Sequence, residues 1–145
     1  MGFDRNGSAT YLAAQLAKAF TRSLQARAAK LGFSPGQFPI LLALWDEDGL
    51  TQAQLLQRID VEQATMANTL ARMQRDGLIE KKPHPNDRRA QRIYLTEPAR
   101  ALQEEALTAA EEADDALFSG FRRFEKELML EYIRWAIDNG RKLET

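Results

Sequence analysis

The spacing of apolar residues changes once along this chain, and the change restricts the folds open to it. As far as Gly77, apolar side chains recur every three or four residues, the spacing of one helix face. Beyond Leu78 the rhythm shortens: Ile93 and Leu95 are interleaved with Arg92 and Tyr94, as on a half-buried strand. His84-Pro85-Asn86-Asp87 supplies turn chemistry, so the pattern predicts a β-hairpin with strands over 78–83 and 88–95.

The helices around it carry their own boundaries. A first helix over 10–31 presents Leu12, Leu16, Ala19, Phe20, Leu24 and Leu31, and Gly32 stops it. Ser34-Pro35-Gly36-Gln37 has the residues of a capping box with proline in the first turn. The helix it opens is apolar nearly all round (Phe38, Ile40, Leu41, Leu42, Leu44, Trp45) and is expected to be central, ending at Asp46-Glu47-Asp48-Gly49. Thr51-Gln52-Ala53-Gln54 is a second box, before a short helix with Leu55, Leu56 and Ile59. A helix over 61–76 follows, with Val61, Met66, Leu70 and Met73 inward, Glu62 or Asp60 as cap, and Gly77 closing it. Two short helices tightly joined, the second rich in polar residues, make a helix-turn-helix, and the hairpin behind it is a wing. Thr96 caps a long helix over 97–119, Gly120 breaks it, and a last helix carries Phe121, Phe124, Leu128, Tyr132, Ile133, Trp135 and Ile137. The fold class expected is mainly α with a small β-hairpin wing. One domain over 1–145 contains a winged helix-turn-helix at 34–96 and dimerisation helices at 8–32 and 97–143.

Composition removes several classes of chemistry. The chain of 145 residues has no cysteine and a single histidine, His84. Disulfides, thiolate metal sites, a cysteine nucleophile and oxidation sensing are therefore excluded. Without a glycine-rich phosphate loop either, neither an enzyme nor a cofactor is expected. No apolar run reaches membrane-spanning length, and Met1-Gly2-Phe3-Asp4-Arg5 lacks the features of an export signal, so a cytoplasmic protein without membrane contact is expected. The formal net charge of -1 does not announce an anionic partner. Its distribution does: Arg72, Arg75, Lys81, Lys82, Arg88, Arg89 and Arg92 outnumber Asp76, Glu80 and Asp87. Glu104, Glu105, Glu111, Glu112, Asp114 and Asp115 instead crowd the later helix, around an exposed surface without a histidine partner, and no metal site is expected there.

Asp87-x-Arg89-x-x-x-Ile93-x-Leu95-Thr96 resembles the wing signature of the MarR family of bacterial and archaeal regulators at every fixed position. The stretch Ala71-Arg72-Met73-Gln74-Arg75-Asp76-Gly77-Leu78-Ile79 is similar to that family's segment closing the recognition helix, and the element order agrees over the whole chain. In the middle of that helix many members carry Thr-Arg, where this chain has Ala67-Asn68. The resemblance implies a homodimer that binds double-stranded DNA at a pseudo-palindromic operator and regulates transcription, commonly as a repressor released by a small aromatic or anionic effector. It also implies that Asp87 braces one wing arginine, Arg89 being the one that matches the family, while an arginine probes the minor groove.

The residues themselves suit that chemistry. Gln63, Thr65, Asn68 and Thr69 are spaced to cluster opposite the apolar stripe, and Asn and Gln pair with adenine while Thr meets a thymine methyl. Arg72 and Arg75 reach guanine or phosphate, Gln52 and Gln54 reach backbone, and Arg88, Arg89 and Arg92 arm the wing. Leu102, Ala106, Ala109, Ala113 and Ala116 form a small-residue stripe open to close helix approach, in an ordinary core or across a dimer of the first helix and the last two. By the resemblance, Phe20, Arg27, Phe38, Trp45 and His84 line an effector pocket. A winged helix that makes protein contacts alone, without specific DNA binding, is the rival class.

Overall fold

The computed structural model describes residues 2–144, and of Arg88 the backbone alone. Among them α1 (Ala9–Ala28), α2 (Phe38–Asp46), β1 (Leu50–Thr51), α3 (Gln52–Arg58), α4 (Gln63–Arg75), β2 (Ile79–His84), β3 (Asp87–Leu95), α5 (Glu97–Ala101), α6 (Gln103–Leu117) and α7 (Arg123–Leu143) follow in order. The strands form one antiparallel sheet in the order β1-β3-β2. Ile79 stands opposite Leu95, Lys81 opposite Ile93, Lys82 opposite Arg92, and Leu50 on β1 opposite Ile93 from the other side. Directly opposed residues share a face. Leu50, Ile79, Ile93 and Leu95 are thus the buried inner face, and Glu80, Lys82, Arg92 and Tyr94 the outer one. β1 is an addition to the expected hairpin, since two residues are too few to display an alternation.

Leu41 and Leu44 of α2, Leu55 of α3, and Met66, Leu70 and Met73 of α4 lose essentially all solvent contact and form one core with that face. Each such side chain stabilises the fold by about 1.5–3 kcal/mol. α2 is therefore central as expected, although Leu42 stays 39% exposed.

Several boundaries move, each for a visible reason. The first box is only half formed: Gln37 Oε1 accepts from the Ser34 N–H at 3.0 Å, and α2 begins at Phe38, with Pro39 in its first turn. α4 starts at Gln63 and not at 61, because the Val61 N–H is turned back to the Ile59 carbonyl at 3.0 Å. Val61 is consequently 38% exposed and outside the core, and neither Glu62 nor Asp60 caps the helix with its side chain. The long helix after the wing is two helices, α5 and α6, joined at Leu102. At that junction the Ala99 carbonyl accepts the Trp45 indole N–H at 3.0 Å. Phe121 precedes α7 and packs edge-on against Phe118 at 5.2 Å.

The alanine stripe is used within the chain as far as Ala113, while Ala116 stays exposed. Ala106, Ala109 and Ala113 are buried where α6 runs along α1, and the Ser23 hydroxyl donates to the Ala113 carbonyl at 2.8 Å. α7 contrasts with this. None of its residues is buried, and Phe124, Leu128, Tyr132, Trp135 and Ile137 lie exposed. Lys126 ties its start to α6 through Asp115 at 2.8 Å, a bond that raises the lysine's pKa.

Gly49 turns the chain from α2 into β1 at φ +78°, and a Cβ there would stand 2.9 Å from Cε1 of Tyr94. Gly49→Ala is expected to destabilise the protein by about 2 kcal/mol through left-handed strain and the clash together. Chemical denaturation checks this, with Gly36→Ala, which meets no neighbouring atom within 4 Å, as the control.

Candidate nucleic-acid interface

Anchoring of one side of α4 determines what the other side presents. With Met66, Leu70 and Met73 inward, helical geometry turns Thr65, Asn68, Arg72 and Arg75 outward, and all four are exposed. Gln63 is exposed on one flank. Thr69 is half-buried on the other, its hydroxyl donating to the Thr65 carbonyl at 2.8 Å. The expected polar cluster is thus narrower than its spacing implied, centred on Asn68 and Arg72. At the start of α3 the capping box is complete: Thr51 Oγ1 accepts from the Gln54 N–H at 3.2 Å, and Gln54 Oε1 accepts from the Thr51 N–H at 2.8 Å. Gln54 is committed to that cap, while Gln52 borders a cleft beneath the wing.

The two arginines at the end of α4 differ. Arg75 Nε lies 3.3 Å from Asp76 Oδ1, whereas Arg72 has no ion-pair partner among the described residues. Gln37, 5% exposed, holds Asp76 from below: its Nε2 donates to Oδ2 at 3.2 Å. That hydrogen bond, with Arg75 beside it, keeps the Asp76 carboxyl below the ordinary range. A depressed carboxylate contributes stability above its unfolded pKa and loses it only as pH falls through the lowered value. Gln37 carries no sequence signal for this role, because Asp76 is 39 residues away.

The wing is braced at both ends. At the tip Asp87 Oδ1 accepts the Arg89 N–H at 3.0 Å and lies 3.6 Å from Arg89 Nε, while the Arg89 side chain remains 94% exposed. His84 Nδ1 accepts the Asn86 N–H at 3.0 Å, which makes the histidine part of the turn. At the root, the Thr96 hydroxyl donates to the Gly77 carbonyl at 2.7 Å. Asp48 accepts the Leu95 N–H at 2.9 Å through one oxygen and Arg100 at 3.3 Å through the other. The pairing shifts register after Pro83, and Arg89, beyond that shift, lines a cleft with Ile93 on the α3 side, while Arg92 lies on the opposite side next to Lys82. The Lys82 ammonium caps the Tyr94 ring at 5.1 Å. Arg88 was expected to arm the wing as well; its side chain lies outside the described residues. Lys81, which spacing had not singled out, joins Arg89 on the inner side.

The five residues expected around an effector fall in three places. Phe20 packs against Phe118 at 5.9 Å, and Arg27 donates to Ser23 and faces Glu112 on the α1–α6 side. Phe38 meets Trp45 edge-on at 6.3 Å beside the core, with Phe33 stacked on its other face. His84 sits at the wing tip, about 16 Å of strand beyond the root. The acidic residues of α6 are all exposed, and no described helix is long and apolar enough to cross a membrane.

The model of the MarR family matches residues 31–90, the winged segment just described. Among curated proteins, the transcriptional regulator HosA of Escherichia coli is 26% identical over 98 residues, 68% of this chain and 73% of its own. The transcriptional repressor NicR of Pseudomonas putida is 30% identical over 103 residues, which cover 71% of this chain and 65% of the relative. Among solved structures, Bordetella bronchiseptica BpsR superposes with a TM-score of 0.84 at 22% identity, over 95% of this chain and 99% of that one. A matched winged segment, regulators aligned along two thirds of the sequence and one shared fold agree with the wing signature: over its winged segment the chain is similar to the MarR family of transcriptional regulators.

Proposed function

We propose that this protein binds double-stranded DNA as a homodimer and represses transcription at a pseudo-palindromic operator. The observation that carries the reading is the fixed rotation of α4, which turns Thr65, Asn68 and Arg72 to solvent just ahead of a wing whose Arg89 is braced at its base and exposed. A helix of this kind fits the major groove, and narrow minor grooves attract wing arginines. Arg92 and Arg75 add positive charge around that contact, and Gln52 and Gln63 extend it at the edges. The apolar face of α7, with Tyr11 and Leu12 of α1, is the surface for the second copy. A two-fold dimer sets half-sites about 10 base pairs apart.

Release by a small aromatic or anionic effector is part of the same proposal. It is supported by the aromatic cluster of Phe38 and Trp45, which lies where α5 leaves the winged part, since Trp45 is bonded to Ala99. In BpsR, DNA binding is regulated by 6-hydroxynicotinic acid.

Titration into a fluorescent duplex of the gene's own upstream DNA is expected to show tight binding that weakens with salt and exceeds binding to a scrambled duplex. Arg72→Ala and Arg89→Ala should each reduce affinity by about tenfold. No binding at low salt by a folded dimer would favour the protein-contact reading. Leu128→Glu/Trp135→Glu is expected to yield a folded monomer in sedimentation, with operator affinity lowered by more than tenfold. For the effector, benzoate-like acids should raise the melting temperature and release the duplex; no change in either would remove that part of the proposal.

A further inference from the structure

Between the first turn of α3 and the inner side of the wing lies a cleft of about 320 Å³, bordered by Thr51, Gln52, Lys81, Arg89, Gln91 and Ile93. One of its two cations, Lys81, has no counter-charge: it is half-buried on the inner face opposite Ile93, and among the described residues no carboxylate lies within ion-pair distance of it. Arg89 is paired with Asp87 alone, at 3.6 Å and in open solvent, where such a pair is worth little. No acidic residue borders the cleft; two cations, two side-chain amides and a hydroxyl do. The capping box at the start of α3 uses the Thr51 and Gln54 N–H groups, and the donors argued from here are side chains. Partial burial of an ammonium without a counter-charge is unfavourable, and an anion entering the cleft reverses the deficit.

We infer that this cleft grips one phosphate group of the DNA backbone, with Lys81 as its principal cation and Gln52 and Gln91 as further donors. The inference rests on the DNA-binding reading and deepens it. It gives the wing a backbone contact on its inner flank, independent of any base or groove contact made from the tip. A phosphate contact carries no sequence information and releases counterions, so its loss has a distinct signature.

The test compares wild type, Lys81→Gln and Lys81→Arg on native and scrambled duplexes across a salt series. Lys81→Gln is expected to weaken both duplexes by the same factor, about tenfold near 0.1 M salt, and to reduce the log–log salt slope by about 0.9. Lys81→Arg should restore both. An unchanged slope and affinity, or a loss confined to the native duplex, would overturn the assignment. If wild type binds no duplex at all, titration of inorganic phosphate into the 15N-labelled protein decides. Saturable shifts of the Gln52, Ala53 and Gln91 amides that vanish in Lys81→Gln would uphold the cleft as a site for a free oxyanion although the DNA reading had failed. Absent shifts, or identical ones in the variant, would remove it.

Discussion

Burial of Met66, Leu70 and Met73 sets the rotation of α4, and the rest of the interface depends on it. All three are without solvent contact, packed with Leu41, Leu44, Leu55 and the inner face of the sheet. Truncating any one of them costs about 2–5 kcal/mol, several times what an exposed polar contact contributes. The helix cannot turn about its axis without giving up that packing. Asn68 and Arg72 therefore face solvent as a consequence of what their neighbours bury, and Thr69 is drawn halfway in for the same reason.

Apolar packing joins the wing root and α5 to the core through Leu95 and Ala99, and a few polar side chains add directed contacts to it. Asp48 holds the last amide of β3 and reaches Arg100 beyond it, Trp45 bonds to Ala99, and Thr96 bonds to Gly77. Gln37 does the same for the end of α4 through Asp76. No buried side-chain nitrogen or oxygen among the described residues lacks a partner. Leaving a buried group unpaired costs about 1–3 kcal/mol, which holds the buried Gln37 amide to Asp76. The wing root, α5 and the end of α4 are thus tied by hydrogen bonds as well as by packing.

Charge is divided along the same lines. The total of -1 conceals a basic wing and α4 set against an acidic, exposed α6. Local potential is what a polyanion meets at close range, since beyond about 10 Å salt screens the rest. The hairpin is basic on both sides, Lys81 and Arg89 facing α3 while Lys82 and Arg92 face away. An acidic isoelectric point is thus compatible with a strongly basic local surface.

Much of this was legible in the chain because short-range periodicity encodes burial. Helical spacing followed by alternation gave the winged helix-turn-helix, and the Thr51 and Thr96 caps and the glycine stops were read correctly. At the Asp87-x-Arg89 signature, Asp87 accepts the Arg89 N–H at the wing tip. What stayed hidden involves partners remote in sequence or elements too short to have a period: β1, the Trp45 bond at the α5–α6 junction, Gln37 beneath Asp76, and Lys81 in its cleft. The alanine stripe belongs with these, because small residues spaced to admit a helix do not say which helix, and it was α1 that came. By itself the sequence determined which faces are apolar and where elements begin and end, since those follow from neighbours a few residues apart. Only the tertiary structure decided which faces meet and which cations are left without a counter-charge, because that depends on contacts spanning 39 to 90 residues.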